Sequence, residues 1–556
     1  MPIRGEAMRA ERVTAVRRPF APVPDSARQH AVRMSDGVLL ATDVYLPARG
    51  ARWPVLVVRL PYDKAGDECF VPDIGAWFAE RGYAVVAQDV RGKVRSDGPV
   101  DPFVAEVTDG YDTIDWVASQ PWCDGSVGMF GDSYYGFTQW AAAASAHPAL
   151  RAITPRAAAA DLTHALYRQG VFMLEMGAYW AVETWVDEAL YDYDGALDWS
   201  VRPLSDIAPR ALDGRRPTGL DAWAHRRFSD TVRLPVRGDI PALHIGGYYD
   251  FLLRGQLSTW QQARTAGRAT QHLMLGAVDH VATPLREPGE PAVDPTTSPA
   301  LLRRMLDVYL GPLLPFFEHH LRGRGDYDVA PVRWQLARAD DRWREDHQWP
   351  PTGSRPATWY LGGDPSHDDG ALRLRSDTTA RTATWTHDPH HPVPSRVHPY
   401  YTLLEPPDEH DLHIRPDVLT FTTEPLPRPL DLAGPVELRM KVSGSAASAH
   451  VIATVCDVLP DGRTQPVLDG AALAVAPWPA RLRIDLGDTG YRLRQGHRLR
   501  LTLAASAFPR YALHPGTDGH FWTTTRTALA EQSVILGGPE GAQVTCHVLA
   551  EREQHP

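Results

Sequence analysis

Apolar and polar positions change their rhythm twice along this chain. Up to about residue 154, short continuous apolar runs alternate with segments of helical period. Residues 31–34 and 38–46 alternate around an Asp36-Gly37 turn and predict a β-hairpin. Residues 54–60 read as a nearly continuous apolar run, as expected of a strand buried on both faces, and 83–89 as the next buried strand. Helices are predicted over 74–81 and 109–119, a short strand over 127–130, and an alanine-rich helix over 137–147 that Pro148 stops. Strands alternating with helices predict a parallel sheet covered on both faces.

Over 160–238 the strand pattern disappears. Helical segments rich in aromatics and acids follow, with Tyr167, Phe172, Trp180, Trp185, Tyr191, Tyr193 and Trp199, and they predict an inserted helical cap. The strand–helix rhythm returns with a strand over 241–247, a helix over 255–266, a strand over 272–276 and a last helix over 301–322. Beyond Asp326 helices vanish. Short alternating strands, among them 332–336, 357–361, 436–442, 449–458, 481–486, 497–504 and 544–549, predict an all-β sandwich of jelly-roll type. The expected organisation is an N-terminal arm over 1–30, disordered or packed along an edge, then an α/β domain over 31–159 and 239–325. The cap lies at 160–238 and the jelly roll at 326–556.

A length of 556 residues exceeds one hydrophobic core, consistent with that division. A net charge of −11 argues against nucleic acid or an anionic membrane as the main partner. Residues 1–30 have no continuous apolar stretch of signal-peptide type, and no run reaches the length of a membrane-spanning helix. Cys69, Cys123, Cys456 and Cys546 are scattered, which fits a reducing cytoplasm and no structural zinc site.

The chemistry concentrates at Gly131-Asp132-Ser133-Tyr134-Tyr135-Gly136, where a predicted strand meets a predicted helix. A serine forced onto such a turn exposes its hydroxyl and needs small neighbours. The following helix aims its N-terminal N–H groups where negative charge would develop, and the Tyr134 amide is one oxyanion donor. The serine needs a base, and the base an orienting acid. Asp250 follows the strand 241–247 on a Gly-Gly-Tyr-Tyr-Asp turn, and His280 follows the strand 272–276. Both lie where ligands bind in open α/β sheets. Asp279 competes as the acid, but adjacent side chains on an extended loop diverge, so Asp250 is preferred. Tyr62, just past the strand 54–60, is a candidate second oxyanion donor. Tyr135, Trp180, Trp185, Tyr248 and Phe251 are candidate substrate contacts. Glu175, Glu183, Asp187 and Glu188 crowd the cap, as a solvated helix face or as partners for a substrate ammonium. His244 and His272 are expected to pack within strands. The groups around His319-His320, His387–His391 and Glu409–His413 fit no compact metal spacing and are expected in solvated loops or helix ends.

These residues resemble the cocaine-esterase-like hydrolases, relatives of the X-prolyl dipeptidyl-peptidases, α-amino-acid ester hydrolases and glutaryl acylases. The resemblance runs through Asp36-Gly37-Val38, Leu40-Ala41-Thr42-Asp43-Val44-Tyr45, Pro61-Tyr62-Asp63-Lys64, Gln88-Asp89-Val90-Arg91-Gly92 and Asp109–Trp116. It continues through Gln120–Met129, the Ser133-Tyr134-x-Gly136 elbow, Trp343-Arg344-Glu345 and Gly496–Leu501. It implies an α/β-hydrolase with a helical cap and a C-terminal jelly roll, with Ser133 as nucleophile, Asp250 as acid, His280 as base, and Tyr62 beside the Tyr134 amide in the oxyanion hole. The chain departs from the family in Gly276-Ala277-Val278-Asp279-His280, where Gly-Pro-Trp-x-His is frequent. It also has Tyr248 where tryptophan is common, Asp132 before the nucleophile, and Tyr135 where the α-amino-acid ester hydrolases carry glutamate. These departures bear on substrate choice more than on the reaction.

The expected activity is serine hydrolysis of a carboxylic ester or amide through an acyl-enzyme, without cofactor or metal, on a small-molecule substrate. Homo-oligomerisation is left open. Peptide hydrolysis in the X-prolyl dipeptidyl-peptidase manner and acyl transfer stay open within this class. A non-catalytic binding protein is the alternative from another. The base is expected to titrate at about 6–7.

Overall fold

The computed structural model describes residues 20–67, 69–184, 197–228, 230–282, 297–365, 369–397 and 406–550. Its centre is a sheet built from β1 (Ala27–Arg33), β2 (Leu39–Tyr45), β3 (Trp53–Leu60), β4 (Ala84–Asp89), β5 (Cys123–Asp132) and β6 (Leu150–Arg156). The helices between them are α1 (Val71–Glu80), α2 (Glu106–Ser119) and α3 (Ser133–Ser145). The cap follows as α4 (Thr163–Leu166), a small hairpin of β7 (Tyr167–Arg168) and β8 (Val171–Phe172), α5 (Leu174–Thr184), α6 (Ile207–Ala211) and α7 (Thr218–Ala224). The sheet then resumes with β9 (Ala242–Tyr249), α8 (Leu253–Ala266), β10 (Gln271–Asp279), α9 (Pro299–Leu310), α10 (Leu313–Arg322), β11 (Val332–Leu336) and β12 (Asp340–Asp346).

The ten strands lie in the order β1-β2-β4-β3-β5-β6-β9-β10-β11-β12. From β4 through β11 every neighbour is parallel, and the runs read as buried on both faces are so. On one face Phe78 of α1 and Phe316 and Phe317 of α10 pack with Phe130; on the other, Ile114 of α2 and Phe137 and Trp140 of α3 pack with Val57 and Met129. Eleven further strands between Ser354 and Leu549 form the all-β C-terminal sheet.

Of the two readings of the N-terminal arm, the described residues 20–30 fit packing along an edge: β1, the first strand of the sheet, begins at Ala27, and the Ala21 N–H donates to Asp63 at 2.8 Å. Three expectations change. The expected helix 301–322 is two helices, since Gly311-Pro312 interrupts it and Pro312 has no N–H to continue the ladder. Residues 332–336 do not join the C-terminal sheet: Val332 pairs parallel with Leu273, so β11 and β12 complete the hydrolase sheet. Finally, His387 and His413 are buried rather than solvated.

His387 belongs to a buried group with His450 and His514. The His387 Nε2–H donates to the His514 carbonyl at 2.7 Å. His514 accepts the Gly516 N–H at Nδ1 (3.0 Å), which leaves Nε2–H to donate to Ser448 Oγ at 3.0 Å. A second ring proton has nowhere to go. Burial, reinforced by His387, pulls His514 down to about 4. The unfolded chain therefore takes up this proton near 6.5 and the folded chain does not until about 4, so stability falls as pH drops through that window. At pH 5 the loss from His514 alone should be about 2 kcal/mol. Urea midpoints compared at pH 7.5 and pH 5 test this, and His514→Gln should flatten the difference.

Candidate active site

β5 is driven toward the sheet's carboxyl edge by its apolar run and ends at Asp132 in extended backbone. Ser133 then sits at φ +51°, in the left-handed region that a residue with a Cβ rarely adopts. The flanking glycines make room for this turn. A Cβ on Gly131 would lie 2.2 Å from Cδ2 of Tyr135, and one on Gly136 would lie 2.4 Å from Cβ of Ala158. The second glycine thus belongs at the position where α3 crosses the end of β6.

Asp250 directly follows β9 and His280 directly follows β10, so all three groups meet at the carboxyl ends of parallel strands. His280 Nε2 lies 3.0 Å from Ser133 Oγ, and His280 Nδ1 lies 2.9 Å from Asp250 Oδ1. An ionised carboxylate can only accept, which puts the hydrogen on Nδ1 and aims the Nε2 lone pair at the serine hydroxyl. The Leu252 N–H also donates to Asp250 Oδ1, at 3.0 Å. Asp279, the competing acid, instead accepts the Val281 N–H at 3.1 Å.

Burial disfavours the His280 cation, but Asp250 foremost, then Asp132 and Asp279, outweigh it and raise the imidazole above its ordinary value. Burial likewise raises Asp132, against the pull of Arg156, whose Nε is 3.5 Å away, and of the Tyr309 hydroxyl.

Tyr134 lies in the first turn of α3, and its ring points down into the core. Its hydroxyl donates to Glu106 Oε1 (2.7 Å) and accepts the Phe103 N–H (2.9 Å), while Arg59 holds the other Glu106 oxygen at 2.8 Å. Tyr62 lies on the loop after β3. Sequence reasoning missed what holds this loop. Lys64 is fully buried, with Nζ 2.6 Å from Asp89 and 3.7 Å from Asp43, and Arg95 Nη1 donates to Asp63 Oδ1 at 2.9 Å. The signal was present in Asp63-Lys64 and Asp89, opposite charges at the ends of two buried strands.

The aromatic candidates separate. The Phe251 ring is 4.5 Å from the His280 ring, and Tyr135 is half-buried, edge-on to Tyr62 at 6.3 Å. Trp180 lies in a stack with Phe103, Tyr134 and Trp223. Tyr248 does not face the site: its hydroxyl donates to the Gln335 carbonyl at 2.9 Å and its ring packs on Trp349, at the seam with the C-terminal sheet. Trp185, Asp187 and Glu188 lie outside the described residues. Glu175 and Glu183 are half-buried rather than solvated, and burial pushes Glu175 up to about 7, against Arg510. A cavity of about 120 Å³ at the junction of hydrolase, cap and jelly roll touches Asp250, Phe251, Arg168 and Arg510, behind the triad-like row.

Glu409, His413 and Cys456 bring three potential metal-ligand atoms within 4.8 Å of one another. Arg500 donates to His413 Nδ1 at 3.3 Å, which leaves the hydrogen on Nε2, 3.8 Å from Glu409. That tautomer has no lone pair for an ion on the Glu409 side, so the ring is not poised to share a metal with Glu409.

Residues 36–282 match the X-Pro dipeptidyl-peptidase (S15 family) model, and residues 327–545 match its C-terminal non-catalytic domain. The chain is 32% identical over 541 residues to the cocaine esterase of Rhodococcus sp. (strain MB1 Bresler), covering 88% of this chain and 92% of that protein. Its fold is that of an aminopeptidase from a marine sediment Thaumarchaeota archaeon (TM-score 0.78, 22% identity, 97% of this chain and 99% of that one). An α-amino acid ester hydrolase is similarly close (TM-score 0.76, 24% identity, 96% and 98%). The chain belongs to this family of cocaine-esterase and X-Pro dipeptidyl-peptidase relatives and is a serine hydrolase of esters or peptides.

A base must be neutral to accept a proton, so if His280 is that base, activity should fall as pH drops through its pKa. Because that pKa is raised, the acid limb of kcat/KM on an activated aryl ester should lie above that of a free imidazole. Asp132→Asn removes one carboxylate that favours the cation and should move the limb to lower pH. A limb unchanged in this variant would separate Asp132 from the base.

Proposed function

We propose that, within this family, the chain hydrolyses carboxylic esters through an acyl-enzyme formed on Ser133, with His280 as base and Asp250 as its orienting acid. The observation that carries this reading is the hydrogen-bonded row from Ser133 Oγ through the imidazole to Asp250, at 3.0 and 2.9 Å. Relatedness favours esters: the match to the cocaine esterase is 32% identical over 88% of the chain, against 26% over 72% for a Streptomyces avermitilis protein of Xaa-Pro dipeptidyl-peptidase type.

Ser133 Oγ attacks the carbonyl carbon while its proton passes to His280 Nε2. Asp250, accepting from Nδ1–H, stabilises the imidazolium. The carbonyl oxygen becomes an oxyanion that the Tyr134 backbone N–H and the Tyr62 hydroxyl hold. The intermediate collapses, the C–O bond to the alcohol breaks, and the imidazolium protonates the departing oxygen. Water then repeats the sequence on the acyl-serine, giving up its proton to His280. The acid leaves and the serine regains its hydrogen.

Ser133→Ala tests the nucleophile without disturbing the turn, since alanine already occupies φ +59° at Ala146 in this chain. It should lower kcat on the order of 10⁴–10⁶-fold and abolish covalent labelling by a fluorophosphonate. More than a few per cent residual turnover would remove Ser133 from this role. Tyr62→Phe should lower kcat roughly 10²–10³-fold with little change in KM. A raised KM at constant kcat would make Tyr62 a binding residue. Comparing kcat/KM for matched esters, amides and X-Pro anilides checks the ester preference.

A further inference from the structure

The cap reaches the loop of the oxyanion tyrosine through a hydrogen bond. Trp180, on α5, donates its Nε1–H to the Tyr62 hydroxyl oxygen at 3.4 Å, across 118 positions of sequence. The indole is only 9% exposed. It stacks on Trp223 at 5.6 Å and 27°, on Phe103 at 5.1 Å and 22°, and on Tyr134 at 6.1 Å and 15°. These rings come from the cap, from the segment before α2 and from the elbow helix itself. A tryptophan held on this many sides is fixed in rotamer, and the direction of its N–H is fixed with it.

We propose that Trp180 is a positioning residue that orients and polarises the Tyr62 hydroxyl, rather than a substrate contact. This rests on Tyr62 being an oxyanion donor. A phenol has one hydrogen and two lone pairs. When a fixed N–H occupies one lone pair, the O–H can no longer turn toward that side. A hydroxyl that accepts a hydrogen bond also donates a stronger one, because the bonds polarise each other. Lys64 and its carboxylates fix where the Tyr62 backbone sits; Trp180 sets which way its hydrogen points. The cap therefore contributes to the chemical step without touching the substrate.

The test removes the N–H while keeping the ring. Replacing Trp180 with 3-benzothienylalanine exchanges N–H for sulfur in a nearly identical bicycle, and Trp180→Phe is the simple genetic counterpart. In the Tyr62 enzyme the benzothienyl variant should lower kcat about three- to ten-fold, with KM within two-fold and an unchanged melting temperature. In the Tyr62→Phe background the same exchange should have no further effect, because no hydroxyl remains to orient. An equal loss in both backgrounds would overturn the proposal by making the effect structural. A raised KM at constant kcat would overturn it by making Trp180 a substrate contact. If Tyr62→Phe is impaired and the Trp180 exchange is silent, this inference alone fails. If Tyr62→Phe turns over normally, the oxyanion reading fails and takes the inference with it.

Discussion

The φ of +51° at Ser133 is the constraint on which the rest of the site is built. A non-glycine residue held there costs on the order of 1–3 kcal/mol, and the surroundings must over-determine it. They do so with a buried glutamine. Gln139 donates to the Gly131 carbonyl at 3.0 Å and accepts the Thr154 N–H at 2.8 Å, so α3 is bonded to both β5 and β6 beneath the turn. Thr138 adds a bond to the Arg59 carbonyl of β3 at 3.1 Å. The elbow helix is thus tied to three adjacent strands, and the serine can relax only by disturbing the sheet. The glycines at 131 and 136 follow from the same requirement, since each lies where a Cβ would meet a neighbour within 2.4 Å.

What was legible in the sequence was local. Ser133, Asp250 and His280 each sit at a strand's carboxyl end, and chain-local patterns mark those ends. The strand over 127–130, the Gly-Gly-Tyr-Tyr-Asp turn and the residue after 272–276 were enough to order Ser133, Asp250 and His280. What failed depended on partners distant in sequence. Tyr248 reads as a loop aromatic two residues from Asp250, yet its direction is decided by β11, which joins the sheet some 80 residues later and presents the Gln335 carbonyl. The strand 332–336 itself alternates as a sandwich strand would. Only its parallel pairing with β10 assigns it to the hydrolase, and periodicity carries no information about pairing. His387 sits among polar residues in sequence, and its burial comes from packing beside His514, 127 positions away. The break at Gly311-Pro312 is different, because proline chemistry was there to be read.

That misassigned strand explains how the two large modules hold together. β11 ends at Leu336, and the next residues bond directly to the C-terminal sheet, Ala337 N–H to the Gly490 carbonyl and Arg492 N–H back to the Ala337 carbonyl, both at 2.9 Å. Tyr248, Trp260, Leu275 and Trp334 share one apolar cluster with Leu438, Ile484 and Leu486. The cap is bonded to the same C-terminal module: Gln169 bridges the Arg483 carbonyl and the Asp485 N–H, and Trp522 donates to Asp221 at 2.6 Å. The jelly roll therefore braces both the sheet edge that carries Asp250 and His280 and the cap that carries Trp180.

Charge is organised by the same logic. Three buried or half-buried carboxylates, Asp89, Glu106 and Asp132, are raised by burial. Each has a cation beside it: Arg59 for Glu106, Lys64 for Asp89 and Arg156 for Asp132. Each pair supports a different part of the machinery. Glu106 fixes the Tyr134 ring at the start of α3, Asp89 fixes the loop of Tyr62, and Asp132 directly precedes Ser133. Isolated buried pairs add little to stability, because desolvation offsets their attraction. Here their value lies in direction. A carboxylate with a bonded cation in a low-dielectric site cannot reorient without leaving a charge unpaired, so the groups it holds stay in place as charge develops on the substrate. On the proposed reading, the work of ordering the donors is done during folding, before substrate is bound, and that is the condition under which fixed dipoles stabilise an oxyanion better than water does.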